Sequence, residues 1–113
     1  MGKNKLAVLW TSPDKDVALK MVYMYSRASK KNGWWDEVKL IVWGPSAKLL
    51  AEDTELQEQL KVLQGFGVEV IACKSCADMY GMSSRLEALG IEVFFVGQAF
   101  TDILQSDWKT ITI

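Results

Sequence analysis

Two thiols three residues apart, Cys73 and Cys76, are the strongest nucleophiles in this chain of 113 residues. They bracket Lys74 and Ser75 in a C-x-x-C segment directly after the apolar run VEVIA at 68–72. A cysteine placed where a strand gives way to a helix meets free backbone N–H groups and the positive end of the helix dipole, and both stabilise a thiolate. Lys74 adds an adjacent cation, and thiol pKa values fall in such surroundings. Within one helical turn the two sulfurs share a face. The pair can then close a disulfide, or one thiol can resolve a bond made by the other. Packing is the competing reading, because free cysteine is also a small buried hydrophobe.

Other chemistries lack their residues. The chain has no histidine. That excludes Ser-His-Asp and Cys-His catalysis within one chain and removes the commonest zinc and haem ligands. Two thiolates do not complete a zinc site unless a second chain supplies two more, so no metal and no cofactor is expected. There is no P-loop and no G-x-G-x-x-G. Gly65-Phe66-Gly67 precedes a strand and reads as a turn. The loop at 11–16 carries two acids and no glycine, a poor phosphate cradle. A thioredoxin-type site needs a later proline, and none follows Pro45. The net charge of −1 lacks the basic excess of a nucleic-acid binder. No apolar run reaches transmembrane length, and the run after Lys5 is too short for a signal peptide. With no disulfide framework in prospect, the expectation is a cytoplasmic protein with no membrane partner.

Half the residues are hydrophobic and 24% are charged, enough to bury a core in one domain over 1–113. Continuous apolar runs at 6–10 (LAVLW), 38–43 (VKLIVW), 68–72 and 91–96 (IEVFFV) predict strands buried on both faces, with a short last strand at 110–113 (TITI). Between them lie helical patterns. Ser12 is the expected N-cap of the first helix, with Pro13 in its first turn and Val17, Met21, Met24 and Ala28 recurring at helical spacing. Pro45 opens a short helix. Asp53 caps the next, whose buried face is Leu56, Leu60 and Leu63. A helix follows Cys73 and breaks at Gly81; Ser84 and Glu87 have capping-box spacing. A last short helix is expected over 99–105. The βα alternation predicts an α/β fold, a three-layer α/β/α sandwich on a mostly parallel five-stranded sheet.

Sites on such sheets form beyond the carboxyl ends of the strands. Those ends carry Thr11 and Ser12, then Trp43, Gly44 and Pro45, then the cysteine segment, then Gly97 and Gln98. These are the candidate pocket residues. Trp10 and Trp43 either wall that pocket or finish the core. Trp34 and Trp35 either cover the core edge or contact a partner.

The chain resembles the DsrE-like family, which includes DsrE, DsrF and TusD-type sulfur-relay proteins. The resemblance spans nearly the whole chain. It is carried by the first apolar strand, by Val42-Trp43-Gly44-Pro45-Ser46 with Leu49-Leu50, by Val68-Glu69-Val70-Ile71-Ala72-Cys73, by Gly81 and by the short last strand. It implies a DsrE-like sandwich, a homo-oligomer (trimer or hexamer), and a persulfide carried on Cys73 between donor and acceptor proteins. Cys76 lies outside the relay pattern. Three functions therefore stand: a persulfide carrier or sulfurtransferase subunit using Cys73, a dithiol redox or sensor protein using Cys73 and Cys76, and a non-catalytic oligomeric binding module.

Overall fold

The computed structural model describes residues 4–113. Five strands form one parallel sheet: β1 (Lys5–Trp10), β2 (Glu37–Val42), β3 (Glu69–Cys73), β4 (Glu92–Phe94) and β5 (Lys109–Thr112), in the order β4-β3-β2-β1-β5. Between β1 and β2 run α1 (Lys15–Val17), a π-helical stretch (Ala18–Tyr23) and α2 (Met24–Lys31). Helices α3 (Pro45–Glu52) and α4 (Thr54–Gly65) join β2 to β3; α5 (Lys74–Met79) and α6 (Ser83–Glu87) join β3 to β4; α7 (Gly97–Leu104) leads to β5. The expected α/β sandwich is the observed fold. Among the described residues no helix is long and apolar enough to cross a membrane.

The strand order explains why the two faces differ. Three successive right-handed crossovers in one direction put their helices on one face, and the return to β5 puts α7 on the other. Leu6, Val8, Trp10, Leu40, Val42, Val70 and Ala72 face the thick layer, against Val22, Tyr23, Leu50, Leu56, Leu60, Leu63 and Leu86. The alternate residues Ala7, Ile41, Ile71 and Cys73 face the thin layer, where Phe100 and Ile103 of α7 cover them together with Trp108. Because side chains alternate along a strand, Cys73 belongs to the thin side. Lys5 and Lys39 place their ammonium groups 5.6 and 5.2 Å from the centre of the Trp108 ring.

Local signals held at several ends and were overruled at others. Asp53 caps α4 as expected, its Oδ1 accepting from the Leu56 N–H at 2.9 Å. The first helix instead starts at Asp14, whose Oδ1 accepts from Val17 N–H at 3.1 Å. Ser12 is not the cap because its own N–H donates to the Ile113 carbonyl at 3.1 Å, which holds it with the sheet. The π stretch shifts the phase of the first helix. Ala18, Val22 and Tyr23 become its buried residues, while Met21 and Met24 are exposed. Ser84 and Glu87 form no capping box; α6 begins at Ser83 with Met82 as an N-cap that makes no side-chain hydrogen bond. Strand β4 has three residues where six were expected, because Val96 already turns into α7 and Phe95 lies outside the sheet.

Candidate functional site

The candidate site is built at the carboxyl ends of β2 and β3. Cys73 is the last residue of β3 and the N-cap of α5, with extended backbone (φ −71°, ψ 114°). The extended strand turns into helix at this residue, so its side chain stays on the strand's thin face while its backbone opens the helix. It is 5% exposed. Cys76, the third residue of α5, is half-buried and packs with the same thin-side cluster. The next residue, Ala77, packs on the thick side, so α5 straddles the end of the sheet. Both cysteines are free thiols.

The two thiols are neighbours in that cluster, and the Gly44 backbone N–H stands beside the Cys76 sulfur. Burial pushes the Cys76 thiol above the ordinary cysteine range, the Cys73 thiol adds to that rise, and the Gly44 N–H opposes it. Gly44 reaches this position through φ 76°, ψ −141°, a conformation that essentially requires glycine. The loop is held on both sides. Trp43 N–H donates to the Trp10 carbonyl at 3.0 Å. The buried Ser46 hydroxyl donates to the Trp10 carbonyl at 2.6 Å and contacts the Trp43 carbonyl at 3.2 Å. Pro45, exposed, starts α3 with its preset φ.

Trp43 and Trp10 end on opposite faces. Trp10 is fully buried on the thick side, edge-on to Tyr23 with ring centres 5.4 Å apart. Trp43 is half-buried on the cysteine side, edge-on to Phe100 at 5.5 Å. Only Trp43 can wall the thiol site. Phe94 and Phe100 complete that wall. Sequence reading did not single them out, although the Phe100 and Ile103 spacing marks one face of a helix.

The remaining candidate residues are arranged differently. Lys74 Nζ is directed along its own helix to Asp78 Oδ2 at 2.9 Å and sits 5.8 Å from the centre of the Phe95 ring. Asp78 also accepts from the Ser83 hydroxyl, which with Lys74 holds its carboxyl below the ordinary range. Ser75 is exposed. Gln98 is exposed, its amide donating to Asp102 Oδ1 at 2.9 Å, and the Gly97 carbonyl accepts from Thr101 Oγ1 at 2.8 Å. Thr11 and Ser12 lie two strands from Cys73. The Thr11 N–H and hydroxyl and the Ser12 N–H all donate to the Ile113 carbonyl, at 2.6, 3.0 and 3.1 Å. Those bonds close the crevice between β1 and β5, where the strand order reverses. The structure therefore gathers Cys73, Cys76, Trp43 and Gly44 into one site, and leaves Thr11 and Ser12 bonded to Ile113 and Gln98 to Asp102 elsewhere.

Comparison with known proteins agrees with this architecture. Residues 4–113 match the model of the DsrE/DsrF-like family. No curated protein matches the sequence. A conserved protein of unknown function from Bacteroides thetaiotaomicron is 36% identical, with a TM-score of 0.94 over 97% of this chain and 95% of that one. The YchN protein of E. coli shares the fold at 18% identity and TM-score 0.71, covering 97% of this chain and 99% of its own. A protein of unknown function from Methanobacterium thermoautotrophicum does so at 18% identity and TM-score 0.78, covering 97% and 100%.

Proposed function

The chain belongs to the DsrE/DsrF-like family, and from that premise we propose that it is a sulfur-relay protein carrying a persulfide on Cys73. In the step proposed, the Cys73 thiolate attacks the terminal sulfur of a donor persulfide. The donor S–S bond breaks, the donor thiolate leaves, and a new S–S bond forms at Cys73. A second thiolate, on an acceptor protein, then takes that sulfur in the same way.

The observation that carries this reading is the address of Cys73: a free thiol at the carboxyl end of a parallel strand, at the junction with a helix. Met79, the last residue of α5, is 84% exposed and Phe95, after β4, is 65% exposed, apolar surface suited to a protein partner. On the same reading the chain works as a cytoplasmic homo-oligomer, trimer or hexamer, with exposed Trp34, Met21 and Met24 as contact surface. Sedimentation velocity tests the assembly, and a monomer at micromolar concentration would remove it.

The test of the carrier is intact mass after incubation of reduced protein with a persulfide donor. One added sulfur atom is expected when Cys76→Ser is used, and none in Cys73→Ser. Equal sulfur gain in Cys73→Ser would overturn the assignment.

A further inference from the structure

The relay uses Cys73, yet the fold places a second thiol against it. We infer that Cys76 is a resolving residue, so that the chain reduces the persulfide it accepts, releasing hydrosulfide and closing a Cys73–Cys76 disulfide. This rests on the carrier reading and extends it from sulfur transfer to sulfide release.

Three observations carry it. The first is spacing. Cys73 is the N-cap and Cys76 the third residue of α5, three residues apart and so neighbours on one face of the first turn. The second is contact. Cys76 packs against the thin-side cluster that contains Cys73, with its thiol beside the Cys73 thiol. The atom within its reach is therefore the Cys73 Sγ, which becomes the inner sulfur of a persulfide. Attack there expels the outer sulfur, whereas onward relay requires attack on the outer sulfur. The third is the Gly44 N–H, which stands beside the Cys76 sulfur on a loop fixed by Ser46 and Trp43. A fixed donor aimed at that sulfur favours its thiolate, the form that attacks.

The step balances without another reagent. Cys76 loses its proton to solvent and its sulfur bonds to the Cys73 Sγ. The bond between that Sγ and the outer sulfur breaks, and its electron pair leaves with the outer sulfur as hydrosulfide. The sulfane sulfur is reduced and the two cysteines are oxidised to a disulfide. The oxidant is the donor persulfide itself, and a cellular dithiol must later reduce the disulfide to permit another turnover.

The experiment uses the full chain, reduced and then freed of reductant, with glutathione persulfide as the probe. Transfer from that donor releases glutathione, so sulfide above the protein-free control reports resolution. With no acceptor protein present to take the sulfur first, wild type is expected to release stoichiometric sulfide and to end two hydrogens lighter than the reduced protein, with no added sulfur. Cys76→Ser and Cys76→Ala, at a half-buried position, are expected to keep one added sulfur on Cys73 and to lose the sulfide release. If wild type holds its added sulfur as stably as these variants, the inference falls and the carrier stands. If wild type forms the disulfide without sulfide release, the inference also falls. If neither Cys76 variant gains sulfur, the carrier reading falls and takes the inference with it.

Discussion

Substituting Gly44 by alanine tests whether the loop after β2 is held in its conformation by the fold. The residue has φ 76° and ψ −141°. A Cβ built there meets nothing within 4 Å, so the penalty is conformational, with no steric component. Backbone held in such glycine-only regions costs on the order of 1–3 kcal/mol for other residues. With a urea m-value of about 2 kcal/mol/M, a cost of about 2 kcal/mol lowers the unfolding midpoint by about 1 M. Gly65→Ala is the matched control. That glycine closes α4 without a positive φ, and its added Cβ also meets nothing within 4 Å. Alanine there is expected to raise stability by about 0.5–1 kcal/mol. Urea unfolding followed by tryptophan fluorescence reads both. A second readout follows from the position of the Gly44 N–H beside Cys76. If the loop backbone of the Gly44→Ala variant relaxes to negative φ, the N–H leaves the Cys76 sulfur, and alkylation of Cys76 at a given pH slows in a Cys73→Ser background. A Gly44→Ala midpoint unchanged at constant m, with Cys76 reactivity also unchanged, would refute the account of this loop.

Three further outcomes follow from the packing. Asp53→Ala removes the α4 cap and should cost about 1 kcal/mol near neutral pH. The Leu56 N–H, with Lys15, holds the Asp53 carboxyl below its ordinary range against some desolvation. Its contribution is therefore full above the unfolded carboxyl pKa and is lost as pH falls through the lower folded value. Urea titrations of both proteins should converge in acid, and a gap that persists there contradicts the sign. Leu60→Ala, at a fully buried position between α4 and the sheet, should cost about 2–5 kcal/mol by equilibrium denaturation; under about 1 kcal/mol would show a core that collapses around the gap. Tyr23→Phe deletes the buried hydroxyl that donates to the Leu56 carbonyl at 3.1 Å and should cost about 0.5–1.5 kcal/mol. Burial pushes Tyr23 ionisation far above its ordinary range, so absorbance titration of the folded protein should find this phenol silent where exposed tyrosines ionise.

Much of the architecture was legible because its causes are local. Apolar runs marked the strands, glycines and Pro45 marked their ends, and Asp53 announced α4 through a carboxylate that caps its own first turn. The C-x-x-C segment marked the site through residue type alone. Its surroundings depend on contacts between segments distant in the chain. Ser12 lost the capping role because Ile113, at the other end of the chain, engages its N–H. Trp10 and Trp43 parted because neighbouring strands pair in a register that sends them to opposite faces. The phase of the first helix changed because a π-helical stretch turns Tyr23 inward, where it reaches Leu56 on α4. Residue type and spacing determined that this chain has parallel strands, crossover helices and a thiol pair at a strand end. Only the tertiary structure decided that Cys73 faces the thin layer under α7, that Trp43, Phe94 and Phe100 pack on its cluster, and that the Gly44 N–H stands beside Cys76. Strand order, pairing register and layer thickness are set by packing across the whole sheet, and no local stretch of sequence contains them.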